Sequence, residues 1–394
     1  MPHDAGPAAT DEVRRRNTAV VLRLLRDAGA LSRADLSRRS GLAKATVGTI
    51  VGDLEDRELV AEQPQDRYGG SRGRPSTLVR LRGGRLAGIG IEVNVDYVAV
   101  TVLDLAGEEH WCEETPWGEG PPRPGHVLRL AREHVRRLQD VGTGAVGLTV
   151  AVPGLVDRSS GTVVDAPNLD WSGVPLAAQL RDGLADLLPG LPVVVDNDAN
   201  CAARAEGVRG VAAGMDDFVY LTGTVGLGAG IVCGGRALRG SRGLAGEVGH
   251  LRVGDDQHRC ACGRTGCWEA LVGQRAIELA TAVPVGPRED PVAYAERLAG
   301  LPAARPGLLE VGQALGRGVA QLAVTLDPQA VVLGGAFVPL GEIVVPAIES
   351  ALAAAFTGPG CTVSLSTLGL HAASVGAAVD ALDDVFTGQR RLPA

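Results

Sequence analysis

Three cysteines, Cys260, Cys262 and Cys267, stand close together in Gly-rich surroundings, and His250 lies shortly upstream. Three thiolates and an imidazole at this spacing fit a closed tetrahedral zinc site of the Cys3His type. A closed site keeps no position for water, so a Zn2+ ion held there is structural. His258 competes as fourth ligand, but it lies two residues from Cys260, which strains chelation; His250 sits on its own Glu-x-Gly-His turn and is preferred. The other reading is a set of reduced thiols without metal, in little apolar company. Cys112, Cys201, Cys233 and Cys361 read as small apolar packing residues.

A second group is the run Val195-Asp196-Asn197-Asp198-Ala199-Asn200, just past an apolar strand and at the start of a helix. Strand ends of this kind are where α/β proteins place ligands. Asn197 and Asp198 can hydrogen-bond adjacent sugar hydroxyls, and Asp198 can act as general base on one of them. Capping of the following helix is the competing use of the same pair. A third group, Thr222 to Gly230, is a Gly-rich stretch between two apolar strands; it can offer backbone N–H groups to a phosphate, or be a tight hairpin.

These groups need elements to hold them. Strand-like runs at Leu86–Glu92, Val98–Leu103, Ala145–Ala151, Val193–Val195, Phe218–Leu221, Ile231–Cys233 and Ala330–Leu333 are interleaved with helical runs at Gly125–Gln139, Ala199–Arg209 and Leu308–Leu326. The alternation predicts an α/β architecture. No short-period repeat and no long low-complexity linker is present. With 394 residues, 45% hydrophobic but only 3% aromatic, the chain predicts two or three folding units with aliphatic cores.

The N-terminal part has a different pattern. Val20, Val21, Leu24 and Leu25 mark one face of a helix over Asn17–Ala28. Ser32 and Asp35 form a capping pair for a short helix through Arg39, Gly41 supplies a turn, and Leu42 can plug the core. A second helix over Ala43–Leu54 turns Val47, Ile50, Val51 and Leu54 inward and leaves Lys44, Ala45, Thr46, Gly48 and Thr49 largely outward, near the end of a recognition helix that meets base edges. Ala43 is a poor cap for it. Two extended segments, Leu59–Gln63 and Thr77–Leu81, flank an Arg-rich tip containing Arg72 and Arg74, suited to phosphate or minor-groove contact. Residues 1–85 carry 16 Lys and Arg against 11 Asp and Glu, whereas the whole chain has net charge −8. A basic end on an acidic protein points to double-stranded DNA at that end. A three-helix bundle with a solvated charged loop is the competing reading. No apolar stretch long enough for a membrane helix and no signal-peptide pattern is present, which places the chain in the cytoplasm.

Several runs together resemble the ROK family (repressors, open reading frames and kinases): Gly246-Glu247-Val248-Gly249-His250, the Cys-x-Cys-Gly-x-x-Gly-Cys-x-Glu run ending at Glu269, Pro153-Gly154, Pro167-Asn168-Leu169-x-Trp171, Asn197-Asp198-Ala199-Asn200, and Gly334-Gly335. The resemblance implies a winged helix-turn-helix (1–85) followed by a two-lobed, actin-like (ribonuclease H-like) sugar kinase fold (86–394), with one lobe over 86–200 plus the C-terminal helix and the other over 201–375. It implies a sugar pocket between the lobes, contacted by Asn168, Asn197, Asp198, Glu247, His250 and Glu269. His250 would touch the sugar with one ring nitrogen and zinc with the other, so that zinc orients the residues that read the sugar.

Kinases of the family open the first lobe with an Asp-x-Gly-Gly-Thr phosphate loop. The corresponding stretch here is Glu92-Val93-Asn94-Val95-Asp96. Both glycines are replaced, and Asp96 puts a negative charge near phosphate oxygens, a repulsion on the order of 1–4 kcal/mol at 4 Å. The resemblance therefore points to the repressor branch: a sugar-controlled DNA-binding regulator, acting as a homodimer or dimer of dimers because one helix-turn-helix reads one half-site. An ATP-dependent sugar kinase with a DNA-binding appendage, using Asp198 as base, is the alternative. A regulator without sugar response is a third.

Overall fold

The computed structural model describes residues 7–64, 77–117, 122–287, 289–355, 360–390 and 392. Arg72 and Arg74, and the rest of the expected wing tip, lie outside the described residues.

The chain opens with helix α1 (Pro7–Ala28), longer than expected because its first half is polar and has no apolar period to read. Its buried stripe is Ala19, Val21, Leu22 and Leu25; Leu22 joins the contact and Leu24 packs at its edge, half-buried. After strand β1 (Ala30–Ser32) comes α2 (Arg33–Ser40), capped as expected: Ser32 Oγ accepts from the Asp35 N–H, and Gly41 ends the helix in a left-handed conformation. Helix α3 (Lys44–Asp56) follows, with no side-chain cap at Ala43 and with Val47, Ile50, Val51 and Leu54 buried. Strands β2 (Val60–Pro64) and β3 (Thr77–Leu81) pair antiparallel, and β1 pairs with the other edge of β3. Three helices and this small sheet make a winged helix-turn-helix.

The first large sheet comprises β4 (Leu86–Val93), β5 (Tyr97–Asp104), β6 (Glu109–Pro116), β7 (Gly144–Val152) and β11 (Val193–Asn197), in the order β11-β7-β4-β5-β6. Helix α4 (Pro124–Asp140) precedes β7. A small antiparallel sheet of β8 (Leu155–Asp157), β9 (Thr162–Ala166) and β10 (Trp171–Val174), then α5 (Leu176–Leu184), are inserted before β11. Helix α6 (Asp198–Arg209) starts where β11 ends. The second large sheet comprises β12 (Phe218–Gly223), β13 (Leu227–Cys233), β14 (Arg236–Ala237), β15 (Ala330–Gly335) and β16 (Thr362–Leu365), in the order β14-β13-β12-β15-β16.

The two sheets share one plan. In each, an antiparallel meander supplies three strands and two further strands add parallel beside the first. Between β14 and β15 run α7 (Glu269–Val272), α8 (Gln274–Thr281), α9 (Pro291–Ala299) and α10 (Arg305–Leu326); α11 (Gly341–Ala355) precedes β16 and packs on α10. The chain closes with α12 (Ala372–Ala381) and α13 (Asp383–Thr387). Helix α12 lies on β4, β5 and β7 and against α6. The approach is so close that a Cβ at Gly90 would stand 2.1 Å from the Ser374 carbonyl oxygen.

One hydrophobic cluster crosses from the winged helix into the rest of the molecule. Val21, Leu22, Leu25, Leu54 and Val79 share it with Leu86, Leu103, Val146, Val379, Leu382 and Phe386. The Arg26 guanidinium lies 4.7 Å above the centre of the Phe386 ring. The winged helix is therefore built onto α12 and α13, not hung from a linker. No helix among the described residues is long and apolar enough to cross a membrane.

Candidate functional site

His250 ends a short 3-10 turn, Val248–His250, and the cysteines follow on a loop that returns antiparallel on itself at Arg252 and Cys267 and at Arg259 and Thr265. The loop brings His250, Cys260, Cys262 and Cys267 together, with one ligand atom of each within 4.8 Å of the others. Cys260 Sγ lies 3.9 Å from His250 Nδ1, and Cys262 Sγ lies 3.7 Å from Cys267 Sγ. A tetrahedron with bonds of about 2.3 Å to sulfur has S···S edges of about 3.8 Å, so the four donors fit a metal of zinc's size and preference. The Arg264 guanidinium donates to Cys262 Sγ at 3.4 Å and lowers that thiol's pKa, favouring the thiolate a metal needs. His258 is elsewhere: its Nδ1 is 2.7 Å from Asp255 Oδ1 and its side chain is exposed.

Glu269, at the first turn of α7, joins this cluster to the cleft. Its Oε2 accepts from the Leu227 N–H at 3.2 Å, and its Oε1 lies 3.7 Å from Cys260 Sγ. Gly226 makes room for it, since a Cβ there would stand 2.2 Å from Oε2. Burial raises the Glu247 carboxyl's pKa, His250 opposing and Glu269 reinforcing the shift. Glu247 is solvent-accessible, yet crowding by surrounding protein and a second carboxylate suffices to move it. Asp198 is pushed up to about 6, chiefly by burial, with Glu247 adding repulsion. Its Oδ1 accepts from the Ala199 N–H at 2.8 Å.

Asn197 takes the capping role. Its Oδ1 accepts from the N–H groups of Ala199 and Asn200 at 2.9 and 3.2 Å, and its Nδ2 donates to the Gly154 carbonyl at 3.0 Å. Its other amide hydrogen serves Asp198, whose carboxylate it stabilises against the effect of burial. Asn168 sits exposed on the turn Pro167–Leu169 and makes no described contact with the other five residues. The Gly-rich run Thr222–Gly230 is a tight hairpin, closed by pairing of Gly223 with Leu227 and by Thr224 N–H donating to the Gly226 carbonyl.

At Glu92 the chain forms a compact turn. Tyr97 O–H donates to Glu92 Oε1 at 2.9 Å, the Ser374 N–H donates to Oε2 at 3.2 Å, and the Asn94 N–H donates to the Tyr97 carbonyl. Burial pushes the Glu92 carboxyl up to about 7, Tyr97 opposing and Asp198 reinforcing the shift. Glu92, Asp96, Asp198, Tyr220 and Asp290 line a cavity of about 40 Å³. That is room for a few water molecules, and its wall is acidic.

The sequence reading missed an ion network beneath the cleft. Asp196, 3% exposed, accepts from Arg158 Nη1 at 2.7 Å and from Arg239 Nη2 at 2.6 Å. Arg158 Nη2 also donates to Asp380 on α12 at 2.9 Å. The network fastens the segment leading to Glu247, through Arg239, to β11 and to α12. Only the proximity of Asp196 to Asn197 hinted at it; the partners are distant in sequence.

On α3, Lys44, Ala45 and Thr49 are exposed, and Thr46 is half-buried. Thr49 Oγ1 donates to the Ala45 carbonyl at 3.1 Å. Arg38 on α2 is exposed beside them in sequence and was not singled out.

The ROK family model matches residues 88–383, and the MarR family model matches residues 16–67. The xylose repressor of Caldicellulosiruptor bescii is 30% identical over 346 residues, covering 83% of this chain and 84% of that protein. A glucokinase of Streptomyces coelicolor is 31% identical over 313 residues, covering 74% of this chain and 96% of that protein. The crystal structure of a ROK family transcriptional regulator, homologous to the Escherichia coli Mlc protein, superposes with a TM-score of 0.79 at 26% identity, covering 96% of this chain and 98% of the other. The likeness to that regulator includes the winged helix, whereas the glucokinase match spans less of the chain. The fold is a winged helix-turn-helix followed by a two-lobed, actin-like sugar kinase fold, and the chain belongs to the ROK family, in its transcriptional-repressor branch.

Proposed function

We propose that the protein is a cytoplasmic, sugar-responsive transcriptional repressor that binds double-stranded operator DNA as a homodimer or dimer of dimers. Residues 1–85 read DNA, through Lys44, Ala45, Thr46 and Thr49 on α3 and through Arg72 and Arg74, which fall in sequence between β2 and β3. Residues 86–394 bind the sugar, through Asn197, Asp198, Glu247, His250 and Glu269, with Asn168 closing from the first lobe. The carrying observation is the single core shared by the winged helix, α12 and α13, because α12 also holds Glu92 directly and Asp196 through Arg158. A change in the cleft thus has a packed route to the DNA-binding end.

A Zn2+ ion on His250, Cys260, Cys262 and Cys267 would supply rigidity, not chemistry. It would fix the His250 ring, whose Nδ1 faces Cys260, leaving Nε2 for the sugar. The kinase alternative draws on Asp198 and on the likeness to a glucokinase. Against it stand the acidic wall of Glu92, Asp96 and Asp290 and the absence of a glycine phosphate loop.

The test is a thermal-shift panel of monosaccharides, amino sugars and phosphosugars on the zinc-loaded protein, with and without ATP. The account predicts stabilisation by one sugar class without ATP, lost in Asp198→Asn. Stabilisation that requires ATP, with sugar-dependent ATP turnover, would establish the kinase instead.

A further inference from the structure

The segments that carry Asn168, Asp198 and Glu247 converge on one carboxylate. Asp196 lies on β11 directly before Asn197 and Asp198, and its Oδ1 accepts from the Asn197 N–H at 2.9 Å. Arg239 opens the loop that leads to Glu247, and its carbonyl accepts from the Ala245 N–H at 3.1 Å. Arg158 directly follows β8, in the small sheet whose strands β9 and β10 flank the turn of Asn168. The loop before Glu247 also lies hard on β8: a Cβ at Gly243 would stand 2.5 Å from the Val156 carbonyl oxygen.

The two arginines share a single oxygen. Asp196 Oδ2 accepts from Arg158 Nη1 at 2.7 Å and from Arg239 Nε and Nη2 at 3.0 and 2.6 Å. These N–H groups exceed the two lone pairs of the oxygen, so a firmer hold by one guanidinium loosens the other. Arg158 has a second carboxylate to turn to: its Nη2 donates to Asp380 Oδ1 and Oδ2, both at 2.9 Å. Thr149 Oγ1 donates to Asp380 Oδ2 at 3.1 Å and keeps that carboxylate in place. A cavity of about 140 Å³ beside Arg158, also lined by Asp380, Asp383 and Asp384, leaves the guanidinium room to shift. Asp384 is near enough to feel the charges of Arg158 and Asp380.

Asp380 stands where α12 turns from the cleft to the winged helix. Val379, Leu382, Val385 and Phe386 around it pack into the core that holds Val21, Leu22 and Leu25 of α1. Asp383 pairs with Arg204 of α6 and lies 4.0 Å from Arg26 of α1.

We propose that Arg158 is the positioning residue that passes the state of the sugar cleft to the winged helix, by dividing its guanidinium between Asp196 and Asp380. This role rests on the reading of the chain as a sugar-responsive repressor, and it names the side chain through which the response runs. Sugar held between Asp198 and Glu247 sets how Arg239 sits on the shared oxygen. Arg158 answers by leaning on Asp196 or on Asp380, and α12 and α13 carry the difference to α1.

The experiment uses the full-length, zinc-loaded protein, a duplex selected from a random pool, and xylose, glucose and N-acetylglucosamine as probes. Operator affinity is read by fluorescence anisotropy with and without each sugar, and sugar affinity by calorimetry. The double variant Arg158→Met with Asp380→Leu removes both partners of one ion pair and leaves Asp196 with Arg239, which limits the cost to folding. The wild type should change its operator affinity about tenfold or more on binding one of the sugars, and the double variant less than about twofold, with sugar affinity and sugar-free operator affinity each within about threefold of the wild type. Asp384→Asn should respond as the wild type does. Circular dichroism checks folding, and if the double variant does not fold, Asp380→Asn must show the same loss of response. A double variant that responds like the wild type overturns the role of Arg158. So does one that no longer binds sugar or operator, since Arg158 then supports that site alone, and so does an equal loss in Asp384→Asn, which would make the effect one of general charge. A wild type whose operator affinity ignores all three sugars overturns the sensor reading and this role with it, and is told apart from the other outcomes by the wild-type measurement alone.

Discussion

Glu92 at the end of β4 and Asp198 at the start of α6 meet in one acidic pocket, and the Asp198 carboxylate adds to the burial that makes Glu92 harder to ionise. For Glu92 the sign of the effect on stability follows directly. Its native pKa, about 7, lies above its ordinary value of 4.5. Between those values the native state holds a proton that the unfolded chain has lost, so stability falls as pH rises through that window. Above it the displacement costs the native state about 3 kcal/mol. Glu92→Gln removes this dependence. Chemical denaturation across a pH series should show the variant gaining up to about 3 kcal/mol on the wild type between pH 4.5 and pH 8; a constant difference would mean that Glu92 ionises normally.

The cluster of His250, Cys260, Cys262 and Cys267 yields a second prediction at this scale. Cys267 is 2% exposed and sits 3.7 Å from Cys262. Cys267→Ser should lower bound zinc from one ion per chain, measured by plasma mass spectrometry. It should also remove sugar stabilisation, because Glu269 and His250 are both in contact with Cys260. Full zinc content in this variant would exclude Cys267 as a ligand. The cluster was readable from the sequence because metal coordination restricts residue types within a short loop. The network at Asp196 was not, since Arg158, Arg239 and Asp380 are brought to it only by folding.

At the scale of elements, that network holds β11, the segment before Glu247 and α12 in one arrangement. Asp196→Ala leaves two guanidinium groups facing each other across a nearly buried site, and should cost about 3 kcal/mol in urea unfolding. A loss below about 1 kcal/mol would show that solvent replaces the carboxylate. The elements that could be read in advance were those with strong local signals: the apolar strands β4, β5, β7 and β12, and α2 with Ser32 and Gly41 at its ends. Strand β6 was hidden because its residues are mostly exposed and polar, as suits a sheet edge. The short strands β8, β9 and β10 have too few apolar residues to show an alternation. At the site, Asn197 illustrates the limit of residue type alone: capping and ligand contact call for the same amide, and only the hydrogen bonds to Ala199, Asn200 and Gly154 separate them.

At the scale of the whole molecule, the same strand order recurs in both large sheets, although the sequence shows no short-period repeat. The duplication lies in topology, which tolerates wide change of side chains as long as buried positions stay apolar. The shared core of α1, α12 and α13 was equally invisible, because Leu22 and Phe386 are far apart in the chain. That core makes the central claim testable: under the proposed function, sugar in the cleft favours one arrangement of the core that also carries α3, and so is linked to operator binding. The most direct measurement is fluorescence anisotropy of the full-length protein on a duplex selected from a random pool, with and without the sugar identified by thermal shift. The account predicts that saturating sugar changes operator affinity by about tenfold or more, and that Asp198→Asn binds the operator as the wild type does but ignores the sugar. An operator affinity that stays constant while the cleft is shown to be filled would contradict it.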